Sequence, residues 1–214
     1  GMVTVQDSPE QRVVLRNVRW ETYQLLLQDL EDSSAPRLTY DEGTLEFMTP
    51  LGAHEGYSRF IDVLLGALED ATGTKVYNFG STTFKREDLQ KGFEPDSCFY
   101  IQHAAGVRNK ERIDLSVDPP PDLVIEIDLT HSSINKLPIF AQVGVPEVWR
   151  FTDGRMEILL LQGRHYATVA SSRAFPIVTA SALTTLVQGR KGNSQGEWGR
   201  AVRAWVQAAS QPET

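Results

Sequence analysis

The clearest pattern in the chain lies between residues 122 and 129. Leu123, Ile125, Ile127 and Leu129 alternate with Asp122, Val124, Glu126 and Asp128. Side chains on a strand point alternately to opposite faces, so this period predicts a strand with Glu126 and Asp128 on one face and four aliphatics on the other. A THSS turn and a short apolar helix follow it. Helical stripes are predicted over Trp20–Leu30 and, longer, over about residues 53–71, where Ile61, Leu64, Leu65 and Leu68 form the core face and Thr72-Gly73 the stop. RLTY and TLEFM flank Asp41-Glu42-Gly43, and EVWRF and MEILLL flank Thr152-Asp153-Gly154; both read as hairpins. VVLRNV, KVYNFGSTTF and RHYATVA each suggest a strand. EPDSCFYI suggests another, with Asp96, Cys98 and Tyr100 on one face and Ser97, Phe99 and Ile101 on the other. Residues 103–118 form a polar excursion, expected to be the loop of a wide hairpin between the two acidic strands. SRAFPIVTASALTTLV carries no clear period, and the tail predicts a short helix with Trp198, Val202 and Trp205 on one side.

The length of 214 residues predicts one domain, and 41% hydrophobic with 23% charged residues is an ordinary globular composition rather than that of a disordered chain. We place an irregular arm at 1–12, a single domain at 13–185, and a C-terminal extension with a short helix at 186–214. The net charge of −7 argues against a broad cationic surface, but leaves room for a local basic groove. One cysteine, Cys98, excludes an intrachain disulfide and a multi-cysteine zinc site. With no long apolar run and no leader pattern, the expectation is a cytoplasmic protein with no membrane partner.

Carboxylates are seldom buried without a partner, so Glu126 within a Val/Ile/Leu strand calls for a cation, a proton or solvent. Lys136 lies ten residues further on, and Asp96 opens the strand expected to pair alongside. Acidic residues without matching cysteines are the ligands of a hard cation such as Mg²⁺ or Mn²⁺, and a nearby lysine can position a water or offset developing negative charge. The alternative reading is a set of polar residues on a half-exposed sheet. Glu55, near the start of the longer helix, is either part of the same acidic set or a carboxylate placed favourably against the helix dipole. Arg108, Lys110 and Arg112 are either a solvated loop or a phosphate-facing edge.

The hairpin followed by TP-x-G-x-H-E, the EPD that opens a strand, the PPPDLVIEI-D-L-T-x-S-S run and KLPIFAQVGVPEVWRF together resemble the Uma2 family, widespread in cyanobacteria, over roughly residues 13–170. The resemblance implies the PD-(D/E)xK, restriction-endonuclease-like superfamily, with an α/β core of a mixed central sheet flanked by helices. It implies a Mg²⁺- or Mn²⁺-dependent nuclease acting on nucleic acid, with DNA the expected substrate. Residue by residue it assigns Glu55 to the acid of the first core helix, Asp96 to the PD aspartate, and Glu126 to the acid of the following strand. The superfamily's lysine two positions after that acid is replaced here by Asp128, and Lys136 matches a lysine moved to the next helix. Asp128 then becomes a further ligand, a partner of Lys136, or the mark of altered activity. Pro138 is compatible with a first helical turn but not an interior, which places Lys136 near the helix start. Lys85, Arg86, Lys91, Arg108, Lys110 and Arg112 are the expected phosphate contacts. The superfamily also suggests a homodimer, with Trp149, Trp198 and Trp205 as exposed candidates for its interface; ordinary core packing is the alternative, at least as apt for Trp149. The rival is a non-catalytic module that retains the fold.

Overall fold

The computed structural model describes residues 11–31, 36–50, 52–129 and 134–212. The N-terminal arm up to residue 10, the THSS turn and the side chain of His54 lie outside the described residues.

The alternation around Glu126 produces strand β8 (Leu123–Ile127) at the middle of a six-stranded sheet. Its neighbours are β7 (Ser97–Tyr100), which runs antiparallel, and β9 (Glu147–Thr152), which runs parallel. Beyond β9 lie β10 (Arg155–Gln162) and β11 (His165–Val169), and beyond β7 the short β4 (Tyr77–Asn78). The sheet is therefore mixed, and helices cover both of its faces. Leu123, Ile125, Ile127, Trp149 and Phe151 pack against Phe60, Ile61, Leu64 and Leu68 of α2 (Gly52–Thr72) and against Trp198, Val202 and Val206 of α5 (Gln195–Ser210). On the opposite face Cys98, Val124, Val148 and Leu159 meet Ile139, Phe140 and Val143 of α3 (Leu137–Val143).

A second, five-stranded sheet has the order β1 (Gln11–Leu15), β3 (Thr44–Thr49), β2 (Arg37–Asp41), β6 (Lys91–Phe93), β5 (Phe84–Arg86). Helix α1 (Trp20–Asp29) buries Trp20 and Tyr23 against Leu38, Tyr40 and Leu45 of this sheet. Phe84 and Phe93 join the two halves, because they pack in the same cluster as α3 and β8. Both predicted hairpin turns have positive φ at their two central residues, Glu42-Gly43 and Asp153-Gly154, as a two-residue turn between twisted strands requires.

Two stretches differ from expectation. The polar segment 84–93 forms a small hairpin, β5 and β6, and the unpatterned stretch contains α4 (Ala180–Gln188), whose N-cap Thr179 accepts from the Ala182 amide. The tail helix α5 has 16 residues and opens with a Ser194–Glu197 capping box. Trp149 follows the core-packing alternative, and the expectation of an exposed Trp198 is corrected. Trp149 and Trp198 are 0% and 6% exposed within the largest core cluster, because α5 needs an apolar face to seat on α2 and β9 is covered on both sides. Among the described residues no helix is long and apolar enough to cross a membrane.

Candidate active site

The β7–β8 register sets Ser97 opposite Ile125, so one further step brings Asp96 opposite Glu126. The wide hairpin thus brings together two carboxylates that lie 30 positions apart in sequence. Asp96 is 5% exposed; its Oδ2 accepts from the Ile127 amide at 2.7 Å, and its Oδ1 pairs with Arg37 of β2. Glu126 is 8% exposed, and its Oε2 accepts from Lys136 Nζ at 3.4 Å. Its other oxygen, Oε1, is buried and has no hydrogen-bond partner among the described residues.

Lys136 is the N-cap of α3, with Pro138 in the first turn, as the proline rule requires. Asp96, Glu126, Asp128 and Lys136 line one cleft of about 240 Å³, together with Arg12, Met48 and Arg150. Glu55 does not line it. That carboxylate is 69% exposed in the first turn of α2 and pairs with Arg59 at 3.1 Å.

The five-stranded sheet brings residues that sequence reasoning passed over. Glu46 of β3 is 1% exposed and pairs with Arg12 of β1 at 2.8 Å. Its charge and that of Arg12 both act on Lys136. The available signal was the same as for Glu126, namely a carboxylate framed by apolar neighbours in TLEFM. Glu94 is the other addition. Burial raises its carboxyl to about 7, with Arg37 and Lys136 opposing the rise and Asp96 adding to it.

Burial likewise raises Glu126 above the ordinary carboxylate range; Lys136 and Arg37 oppose that rise and Asp96 reinforces it. Burial lowers Lys136, but Glu126, Asp96 and Glu46 together outweigh both burial and Arg12, and the net shift is upward. The surrounding carboxylates therefore favour the charged form of Lys136.

The residues present suit a hard divalent ion. The donor set is carboxylate oxygen, and the unpartnered Oε1 of Glu126 is a ready ligand atom. Among the described residues no group of three or more His, Cys, Asp or Glu stands ready to hold a metal. Mg²⁺, however, characteristically takes one or two carboxylates and completes its shell from water and substrate phosphate.

Four of the six expected phosphate contacts are engaged in ion pairs within the chain. Lys91 belongs to β6, is 5% exposed and pairs with Asp41. Arg86 pairs with Asp88 at 2.6 Å, Lys110 with Asp118, and Arg112 with Glu31. Lys85 and Arg108 are exposed without an ion pair among the described residues.

No curated protein matches the chain. Among solved structures it is similar to the crystal structure of a putative nuclease belonging to DUF820 from Anabaena variabilis ATCC 29413. The identity is 14% and the TM-score 0.46, with 79% of this chain and 90% of that one covered. A family model, Uma2, described as a putative restriction endonuclease, matches residues 20–188. That match spans well over half of the chain, which belongs to the Uma2 family.

Proposed function

We propose that this protein is a metal-dependent endonuclease that hydrolyses DNA phosphodiester bonds. The observation that carries the reading is the meeting of Asp96, Glu126 and the charged Lys136 in one cleft, with a buried carboxylate oxygen of Glu126 left without a partner among the described residues. Asp96 and Glu126 would hold Mg²⁺ or Mn²⁺, with Asp128 as a further ligand. A bound ion there supplies a Lewis acid for the phosphoryl oxygen and lowers the pKa of a water. Lys136, held at the helix start, orients the attacking water and offsets the charge that develops on the phosphoryl group. Arg37 and the Ile127 amide fix the Asp96 carboxylate, so its position is set before substrate arrives. Glu55, exposed on α2, acts at most through water.

The second reading is a nuclease-fold module that binds without cutting. It is favoured by the internal pairing of both carboxylates, Asp96 with Arg37 and Glu126 with Lys136, which a metal must disturb. Plasmid nicking in Mg²⁺ or Mn²⁺ separates the two. The wild type should nick supercoiled DNA, and Asp96→Ala and Lys136→Ala should each lose at least about a hundredfold in rate while staying folded. Cutting that survives Asp96→Ala removes the site. Metal binding with no cutting by any form establishes the module.

A further inference from the structure

The cleft does not end at Lys136. Asn135 and Leu137, which line it, also line a larger hollow of about 740 Å³ that runs between α3 and the β10–β11 hairpin. The larger hollow is thus a trough that adjoins the cleft of the paired carboxylates at Asn135 and Leu137. Leu89, Ala141, Gln142 and Tyr166 line it, together with Arg164 and His165. Both of those side chains are exposed, and neither has an ion pair among the described residues. No Asp or Glu lines this larger hollow.

In a chain of net charge −7, a carboxylate-free trough edged by unpaired cationic and N–H donors, opening from a phosphodiester site, suits a polyanion. The other large groove, about 620 Å³ beside Trp20, is a poor candidate. It contains Glu87, Asp88 and Asp114, and one of its two cations, Arg86, is already paired with Asp88.

We propose that this trough carries the backbone of the DNA strand away from the cleft, with Arg164 and His165 contacting its phosphates. This rests on the nuclease reading and adds a substrate path to it. A planar guanidinium pairs with phosphate in two-pronged fashion, and an imidazole N–H adds a directed donor. The expected footprint is one or two phosphates on one side of the scissile bond.

The test measures anisotropy of a fluorescein-labelled short DNA duplex across a salt series, with Ca²⁺ in place of Mg²⁺ to suppress cutting. It compares the wild type, Arg164→Ala/His165→Ala and Arg200→Ala/Arg203→Ala, the last pair being exposed cations of α5 that line neither hollow. The trough variant should bind about tenfold more weakly, and its log–log salt slope should fall by about 1 to 2. The second variant should bind like wild type. Hydrolysis of bis(p-nitrophenyl) phosphate, too small to reach the hairpin, should be unchanged in the trough variant. Wild-type affinity and slope in that variant overturn the trough while leaving plasmid nicking, and with it the nuclease reading, intact. Binding that depends on Arg164 and His165 without cutting of any substrate keeps the trough and removes the nuclease reading. A strong preference for RNA of the same length overturns DNA as the occupant.

Discussion

Asp118 shows how far a charged residue's role departs from what its type suggests. Its neighbour Lys110 reads as a phosphate contact, yet the lysine's ammonium is spent on the Asp118 carboxylate, whose second oxygen accepts from the Asp114 amide at 2.9 Å. These bonds, with the Lys110 hydrogen bond the larger, hold the Asp118 carboxyl below the ordinary aspartate range. A carboxyl lowered in the folded state contributes stability that is present above the unfolded value and lost as pH falls through the folded one. Asp118→Asn should therefore destabilise the protein by about 1 kcal/mol at pH 7, the scale of a charge-assisted hydrogen bond. The deficit should be smaller at about pH 3 than at pH 7, because the wild type loses this contribution as pH falls from the ordinary aspartate value of about 3.9 through the lowered folded one. Urea unfolding at the two pH values measures this, and a deficit of equal size at both would show that charge is not the cause. Lys110→Ala, by the same reasoning, should affect stability more than affinity for DNA.

At the scale of elements, the β7–β8 hairpin carries the site, and a single side chain closes its long loop. The Asp122 carboxylate accepts from the Ile101 amide at 2.6 Å, from the His103 amide at 3.0 Å, and meets His103 Nδ1 at 2.6 Å. Asp122→Ala leaves those amides without their acceptor and should cost about 2 to 3 kcal/mol in urea unfolding. Because Asp96 and Glu126 lie at the far end of the same strand pair, nicking should fall as well. Full nicking activity in a destabilised variant would show that the loop does not position the carboxylates. This hairpin was legible because its strands alternate cleanly, and α2 because its Ile and Leu residues recur at helical spacing. The β5–β6 pair was not, since strands of three residues in KREDLQKGF carry no period, and their pairing is decided by Phe84 and Phe93 docking on α3. The site was half legible in the same way. Asp96, Glu126 and Lys136 are close in sequence or in register, whereas Arg12, Arg37 and Glu46 arrive from another sheet, and nothing local records that arrival.

At the scale of the whole molecule, the candidate site is a junction between the two sheets. Arg37 of the five-stranded sheet grips Asp96 at the start of β7 in the six-stranded one, and Lys136 answers charges from both. A ligand bound at such a junction stabilises the whole fold, because unfolding either sheet destroys the binding site. For an ion that binds only the folded state, the gain is about 2.7 kcal/mol at a hundred times its dissociation constant. In a chain of this length, each kcal/mol moves the thermal midpoint by about 2 to 4 °C. Saturating Mn²⁺ should therefore raise the midpoint of the wild type by roughly 5 to 10 °C. The rise should be absent from Asp96→Ala and from Glu126→Gln, each of which removes a carboxylate proposed to hold the ion. It should survive in Glu55→Gln, because that carboxylate is exposed on α2 and does not line the cleft. Scanning fluorimetry with Mn²⁺ and with matched NaCl measures the effect without reference to cutting. A rise that persists in Asp96→Ala places the ion elsewhere on this acidic surface; a rise lost in Glu55→Gln brings α2 into the metal site. No rise in the wild type means that the ion pairs to Arg37 and Lys136 hold against the metal, and the Uma2 fold here works without one.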